Sequence, residues 1–211
     1  MVLKLYHCPG TRSARSLWLM RELGLNFELV EMPFDLKILR TPEYLAVHPL
    51  GRVPCLVDGG VTVFESGAIT QYLCENYDRN NLHRAPGHPE RPEWLQWLHF
   101  AETLVSHLSN LAQQFLVLAP ADRSEVVQKL ESRRAEKALG VLDAQVKDRD
   151  YLLKSGFSAV DINVGYGVHG GLMNVPSIDA NAFPHLKKYY ERISSRPHFQ
   201  SSFPAPQKKS A

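Results

Sequence analysis

The sequence predicts an α/β N-terminal part followed by an all-helical C-terminal part. Two observations support this division. Short strand-like runs alternate with helical patterns up to about residue 79, and no convincing strand pattern appears beyond the proline-rich stretch that follows. A chain of 211 residues that is 44% hydrophobic and 22% charged can build a substantial core in one large domain or two modest ones.

The first half of the N-terminal part reads as a strand, a helix and a second strand. Residues 2–6 alternate weakly between apolar and polar side chains, which predicts a strand that Pro9-Gly10 ends. Residues 13–23 carry apolar side chains at helical spacing, and Gly24 is a natural C-terminal stop. Residues 27–32 predict the second strand, and residues 42–47 predict a short helix in an irregular connection.

The second half reads as a β-hairpin followed by a helix. Two apolar runs, residues 55–57 and 61–64, are joined by Gly59-Gly60, a typical hairpin turn. Pro54 cannot donate to a sheet ladder, so we expect it at the start of a strand or at an edge. A helix is predicted from residue 66 to about residue 77.

The order β-α-β-(α)-β-β-α fits a thioredoxin-like sheet, so we assign residues 1–79 to a thioredoxin-like domain. The polar, proline-rich residues 80–92 read as a linker, and residues 93–211 as an all-helical domain. We expect the tail from about residue 200 to be flexible. The predicted helices of the second domain are residues 93–118, 124–146, 160–172 and 184–194.

Composition limits the cellular compartment and the classes of partner that we expect for this chain. A net charge of +2 gives no indication of nucleic acid or an anionic membrane as a partner. The three cysteines form no Cys-x-x-Cys pair, and their odd number argues against a disulfide framework. No apolar run reaches the ~18 residues of a membrane span. We therefore expect a cytoplasmic protein, and the scattered histidines predict no metal site.

The start of the helix at residue 66 predicts a site for a small anion. Glu65 and Ser66 open the helix, where backbone N–H groups are free and the helix dipole is positive. Such an end can accept a carboxylate, and the Ser66 hydroxyl adds a donor. Together with the Val53-Pro54 step and the hairpin, this segment predicts a receptor for the backbone and acid groups of a small anionic peptide.

Residues 48–69 (HPLGRVPCLVDGGVTVFESGAI) resemble the glutathione-binding half of cytosolic glutathione transferases. The resemblance implies that Pro54 follows a cis peptide bond and that the main chain beside it pairs with the cysteinyl backbone of glutathione. It implies that Glu65 and Ser66 bind the γ-glutamyl end. Arg52, just before Val53, lies where the family often has a basic residue near the glycyl carboxylate, which a guanidinium can chelate.

Three residues compete for the glutathione sulfur. The reactive species is the thiolate, whereas a free thiol has a pKa of about 8.5, so the enzyme must lower that pKa. With Arg15 aligned to an arginine common in the family, Thr11 falls at the serine of theta- and delta-like enzymes. Ser13 falls near a serine of beta-like enzymes, and Cys8 at the cysteine of omega-like ones. These three alternatives stay open at the level of sequence.

The helical domain supplies the remaining candidates. An apolar groove with a few polar points suits a hydrophobic electrophile, and His107, Leu111 and Tyr166 are available there. Ser158 and Asp161 have the spacing of a capping box, so we assign them a structural role at a helix start.

The resemblance implies an enzyme that activates glutathione, its co-substrate, as a thiolate and adds it to a hydrophobic electrophile. It also implies a homodimer. One alternative is a thioltransferase in which Cys8 forms a mixed disulfide with glutathione. The other is a non-catalytic protein that only binds glutathione. A glutathione-dependent isomerase or dehalogenase is a further variant of the same fold.

Overall fold

The computed structural model describes residues 2–203, which divide into two compact units. Residues 2–83 and 195–203 form the first unit, and residues 84–194 form the second. The sequence-based boundaries at residues 79 and 92 stay a prediction, but the contacts of residues 195–203 lie with the first unit. The part of the predicted tail beyond residue 203 is outside the described residues.

The first unit contains a four-stranded mixed sheet in the order β2-β1-β3-β4. Its strands are β1 (Leu3–His7), β2 (Phe27–Glu31), β3 (Cys55–Asp58) and β4 (Val61–Phe64). β1 runs parallel to β2 and antiparallel to β3, and β3 runs antiparallel to β4. Its helices are α1 (Ser13–Glu22), α2 (Leu36–Leu39), α3 (Pro42–Leu45) and α4 (Ser66–Tyr77). This βαβ half followed by a ββα half has the predicted order.

A glycine fixes the connection that carries α2 and α3. Gly51 is buried at φ +57°, a conformation that favours glycine. A Cβ atom there would lie 2.2 Å from the carbonyl oxygen of Leu39. The connection can therefore close against the chain just before Val53 only because this position has no side chain.

A short helix near the end of the described residues, α9 (Pro197–Ser202), packs on α1 within the first unit. The Trp18 ring is fully buried and meets the Phe199 ring edge-on at 5.0 Å. Arg196 donates to both oxygens of Glu22, at 2.8 and 2.7 Å. Residues 200–202, which the sequence analysis included in a flexible tail, thus belong to a helix, because side chains of α1 bind it.

The second unit, residues 84–194, consists of helices joined by loops and contains no strand. Its helices are α5 (Arg91–Ala112), α6 (Glu125–Gln145), α7 (Ala159–Asn174) and α8 (Pro184–Ser194). The predicted helix at residues 93–118 is α-helical only to Ala112 and continues as a π-helical turn, Gln113–Val117. α7 is buried along most of its length, and Gly167 allows it to approach Leu104 of α5, since a Cβ atom there would lie 2.9 Å from that side chain.

Candidate functional site

The loop between β1 and α1 is closed by a small network of hydroxyl groups. Ser13, at the start of α1, is fully buried. Its Oγ accepts the Cys8 N–H at 3.0 Å and lies 2.8 Å from the Thr11 Oγ1 and 2.7 Å from the His7 Nδ1. The Thr11 hydroxyl donates to the Cys8 carbonyl at 2.8 Å. These contacts fix the loop so that Thr11 lies at the surface of the network and Ser13 in its interior.

The three candidates for the glutathione sulfur therefore lie close together but differ in access. Thr11 is partly exposed, whereas Ser13 has no exposed surface and Cys8 is 2% exposed. Burial, and then the negative charge of Glu31, raises the pKa of the Cys8 thiol. A thiol that is buried and resists ionisation is a poor nucleophile. The Ser13 hydroxyl is not in contact with solvent, and it already forms hydrogen bonds with other members of the network.

His7 is a further buried polar residue of this loop. It ends β1 and is 3% exposed, and its ring bonds to Ser13. Burial lowers the pKa of the His7 imidazole, outweighing the opposing charge of Glu31. The ring is therefore neutral near pH 7 and carries a single N–H proton.

The strand entry before β3 is the second part of the site. The Val53–Pro54 peptide bond is cis, as the resemblance implies, and Pro54 lies directly before β3. Val53 is partly exposed and Arg52 is exposed. The Tyr44 hydroxyl donates to the Arg52 carbonyl at 2.7 Å and so holds the main chain just before Val53 in place.

The start of α4 is the third part. Glu65 precedes the helix at φ +74° and ψ +114°, an unusual conformation for a residue with a side chain. Such backbone strain is concentrated at functional sites. Glu65 is exposed, and Ser66 is 4% exposed at the first turn of a 12-residue helix. The free N–H groups of that turn are suited to a carboxylate.

In the helical unit, the candidates for a second substrate occupy two helices. His107 and Leu111 lie one turn apart on α5, and Tyr166 lies on α7. The His107 Nδ1 lies 2.7 Å from Glu131, whose other bonds come from Asn110 and Arg134. Leu111 is fully buried, whereas His107 and Tyr166 are partly exposed.

Ser158 and Asp161 are at the buried start of α7. The Asp161 carboxylate accepts the Ser158 N–H at 2.8 Å, the Leu152 N–H at 3.0 Å and the Tyr189 hydroxyl at 3.0 Å. Burial raises the pKa of the Asp161 carboxyl to about 6, although these hydrogen bonds favour its charged form. The group has no exposed surface, so its contacts join α7 to its neighbours.

Comparisons with known proteins decide the family. The model for "Glutathione S-transferase, N-terminal domain" matches residues 1–75, and the model for the C-terminal domain matches residues 104–197. Glutathione S-transferase 3 of Zea mays is 30% identical, over 96% of this chain and 94% of the maize protein. The chain belongs to the glutathione S-transferase family. Both the family and the fold class predicted from the sequence are confirmed, while the subclass stays a prediction.

Solved structures agree with this membership. Glutathione transferase F7 from Populus trichocarpa is 30% identical, with a TM-score of 0.83 over 95% of this chain and 97% of that one. Glutathione transferase URE2P6 from Phanerochaete chrysosporium, solved in complex with oxidized glutathione, is 25% identical. It has a TM-score of 0.85 over 95% of this chain and 94% of its own.

Two negative findings apply to residues 2–203 of this glutathione transferase. No helix there has the length and apolar character needed to cross a membrane. No group of three or more His, Cys, Asp or Glu side chains there could hold a metal ion.

Sequence reasoning did not single out two residues that shape the site, His7 and Tyr44. A signal existed for His7, because strand alternation places it on the same face as the buried Leu3 and Leu5. For Tyr44 the signal was weaker, since only the fold brings its hydroxyl to Arg52, eight residues further along the chain.

Proposed function

We propose that the thioredoxin-like unit binds glutathione along three segments and that Thr11 activates its thiol. The Val53 main chain pairs with the cysteinyl backbone. Glu65, Ser66 and the N–H groups of α4 bind the γ-glutamyl end. Arg52, exposed beside Val53, binds the glycyl carboxylate. The strained Glu65 backbone supports this assignment.

The assignment of Thr11 rests on access. Among Thr11, Ser13 and Cys8, Thr11 alone combines a hydroxyl with partial exposure. A hydrogen bond from a hydroxyl to a charged acceptor contributes about 1.5–3 kcal/mol, which corresponds to a fall of roughly 1–2 units in the thiol pKa. That is the order of magnitude needed to make the thiolate the main form near pH 7.

The reaction is the transfer of the glutathione sulfur to an electrophilic carbon. The thiol proton passes to solvent when the thiolate forms. The sulfur then donates an electron pair to the carbon and forms a C–S bond. In a substitution the bond to the leaving group breaks, and that group departs with the bonding electron pair. In an addition the π bond of the carbon breaks, and the adjacent atom takes that electron pair and then a proton from solvent. We propose a small hydrophobic electrophile, contacted in the helical unit by the partly exposed His107 and Tyr166. Leu111, which is fully buried, contributes to the packing of α5 in that unit.

The assembly and setting of the enzyme belong to the same proposal. We infer a cytoplasmic homodimer. The three cysteines carry no disulfide in the described part of the chain, which suits a reducing compartment. The edge strand β4 exposes Val61 and Phe64, apolar side chains that a second copy could cover. Sedimentation equilibrium tests the dimer, and fractionation of cells tests the compartment.

Thiol transfer through Cys8 is the weaker alternative, because that thiol is 2% exposed and burial raises its pKa. It predicts activity on mixed disulfides that Cys8→Ser abolishes. Binding without turnover is the other alternative. It predicts that glutathione binds while its thiol pKa is unchanged.

The deciding experiment is a titration of bound glutathione, followed by the ultraviolet absorbance of its thiolate. We expect Thr11→Ala to raise the bound thiol pKa by roughly 1–2 units, and Thr11→Ser to preserve it, because the hydroxyl remains. Thr62→Ala, on the exposed strand β4, is the matched control. A bound thiol pKa that is the same in Thr11→Ala and wild type would refute activation by Thr11.

A further inference from the structure

The hydrogen count around Ser13 restricts where each proton of the loop can lie. A serine hydroxyl has one proton and two lone pairs. The Ser13 Oγ has four polar neighbours: the Cys8 N–H, the Cys8 carbonyl at 3.1 Å, the Thr11 Oγ1 and the His7 Nδ1. The Cys8 N–H can only donate, so it occupies one lone pair. One proton and one lone pair remain for the other three contacts.

The Thr11 hydroxyl has a similar choice. Its proton can point to the Cys8 carbonyl or to the Ser13 Oγ, both at 2.8 Å, or outward. Its oxygen also accepts the Ser13 backbone N–H at 3.4 Å. An outward proton is the one that a glutathione thiolate needs. A charged acceptor forms a stronger hydrogen bond than a carbonyl, so a bound thiolate draws this proton away from Cys8.

The orientation of the Ser13 proton decides whether Ser13 leaves the Thr11 proton free for the glutathione sulfur or accepts that proton itself. If Ser13 donates to His7, its second lone pair stays open and attracts the Thr11 proton inward. If His7 donates from Nδ1, both lone pairs of Ser13 are filled, and Ser13 must donate onward. Its proton then has two possible acceptors, the Cys8 carbonyl at 3.1 Å and the Thr11 Oγ1 at 2.8 Å. The shorter contact favours the Thr11 Oγ1, and successive hydrogen bonds of the same direction strengthen one another.

We propose that His7 and Ser13 are positioning residues that direct the Thr11 proton to the glutathione sulfur. The chain of donors runs from the His7 Nδ1–H to the Ser13 Oγ–H and from there to the Thr11 Oγ1–H. This inference rests on the proposed role of Thr11. Neither His7 nor Ser13 touches the sulfur, because both act through the Thr11 hydroxyl.

The surroundings of His7 suit this role. The ring is 3% exposed, and among residues 2–203 Ser13 is the only group that forms a hydrogen bond with it. Glu31 and Arg21 are the charged groups that act on the ring, with opposite effects on its pKa. Burial lowers the pKa of His7, so the ring is neutral near pH 7 and carries a single proton, on either Nδ1 or Nε2. Placing that proton on Nδ1 gives it an acceptor, the Ser13 Oγ.

The test compares donors at position 7. The side-chain amide of asparagine can place an N–H where histidine has Nδ1, whereas leucine offers no donor. We expect His7→Leu and Ser13→Ala to raise the bound thiol pKa by about 0.5 unit, a roughly threefold fall in the acid dissociation constant of the thiol, because each removes the polarised partner of Thr11. We expect His7→Asn to keep the wild-type value. The measurement is the thiolate absorbance of bound glutathione against pH.

Kinetics separate positioning from a general loss of structure. The glutathione KM should change little in His7→Leu and Ser13→Ala, while kcat at pH values well below the bound thiol pKa falls roughly threefold and recovers at high pH. If His7→Asn raises the thiol pKa as much as His7→Leu, the donor role of His7 is refuted. If Thr11→Ala raises that pKa while His7→Leu and Ser13→Ala do not, this inference fails and the role of Thr11 stands. If Thr11→Ala has no effect, the proposed function itself fails.

Discussion

Two buried polar clusters of this transferase, one in each unit, each contain a fully buried serine but differ in their access to solvent. The loop cluster consists of His7, Cys8, Thr11 and Ser13. The cap cluster consists of Leu152, Ser158, Asp161 and Tyr189. In the cap cluster the Asp161 carboxylate has no exposed surface. It accepts hydrogen bonds from the Leu152 N–H, the Ser158 N–H and the Tyr189 hydroxyl. In the loop cluster one member, Thr11, keeps part of its surface in solvent.

This difference shows that burial of a polar network does not by itself indicate catalysis. A closed network stabilises the fold, because every donor in it already has an acceptor. A network with one member at the surface can orient the hydroxyl of that member toward a bound ligand. We therefore expect substitutions in the cap cluster to change stability and substitutions in the loop cluster to change the thiol pKa.

The largest expected effect comes from Asp161→Ala. This change leaves the Leu152 N–H, the Ser158 N–H and the Tyr189 hydroxyl buried without an acceptor. We expect a loss of about 3 kcal/mol or more in the free energy of unfolding, measured by urea denaturation. The bound thiol pKa of the folded fraction should stay at the wild-type value.

Asp148→Ala is the matched control, because Asp148 is an exposed aspartate of the same unit. The comparison between the clusters would break down if Asp161→Ala were as stable as Asp148→Ala. It would also break down if Asp161→Ala shifted the thiol pKa.

The cap cluster should also be visible in the pH dependence of stability. The unfolded chain loses the Asp161 proton near the ordinary pKa of 3.8, while the folded protein keeps it to about pH 6. Because the unfolded state then binds fewer protons, this group makes stability fall as pH rises from about 4 to about 6. The fall is at most ~3 kcal/mol and ends above pH 6.

Asp161→Asn removes this titration, so the measurement is the difference in unfolding free energy between wild type and Asp161→Asn across that pH range. Taking the difference cancels groups with the opposite effect. Glu22 is one of these, since its bonds from Arg196 and Trp18 overcome burial and lower its pKa. A difference that does not vary between pH 4 and pH 6 would contradict the raised pKa of Asp161.

Sequence predicted the elements whose signals are local. The Gly59-Gly60 turn indicated the hairpin, and α4 and α8 have the predicted bounds, Ser66–Tyr77 and Pro184–Ser194. Pro54 lies at a strand start because it cannot donate to a ladder. In each case the decisive chemistry lies within a few residues of the element itself.

Sequence could not rank Cys8, Thr11 and Ser13. The three lie within six positions of one another, and only the closed loop shows that two are buried and one is partly exposed. The same limit applies to α9. Its six residues carry too little periodicity to predict a helix, and its order comes from Trp18 and Glu22, far away in the chain.

The smallest expected effect would separate binding from activation within the first unit. The Tyr44 hydroxyl donates to the Arg52 carbonyl at 2.7 Å, beside the main chain that we assign to the cysteinyl backbone. Tyr44→Phe removes one neutral hydrogen bond, which contributes about 1 kcal/mol, so we expect the glutathione Kd to rise roughly fivefold. The bound thiol pKa should not change, because the loop cluster is intact. Calorimetric titration gives the Kd, and the thiolate absorbance gives the pKa.

Tyr72→Phe is the matched control for Tyr44→Phe, since the Tyr72 hydroxyl donates to Asp58 at the opposite end of β3. It loses a hydrogen bond of similar length, 2.8 Å, but away from the proposed glutathione contacts. Equal weakening of glutathione binding in both variants would assign the effect to the sheet as a whole. A raised thiol pKa in Tyr44→Phe would mean that the turn at Val53 and the Thr11 loop act on the sulfur together, and the division between binding and activation would not hold.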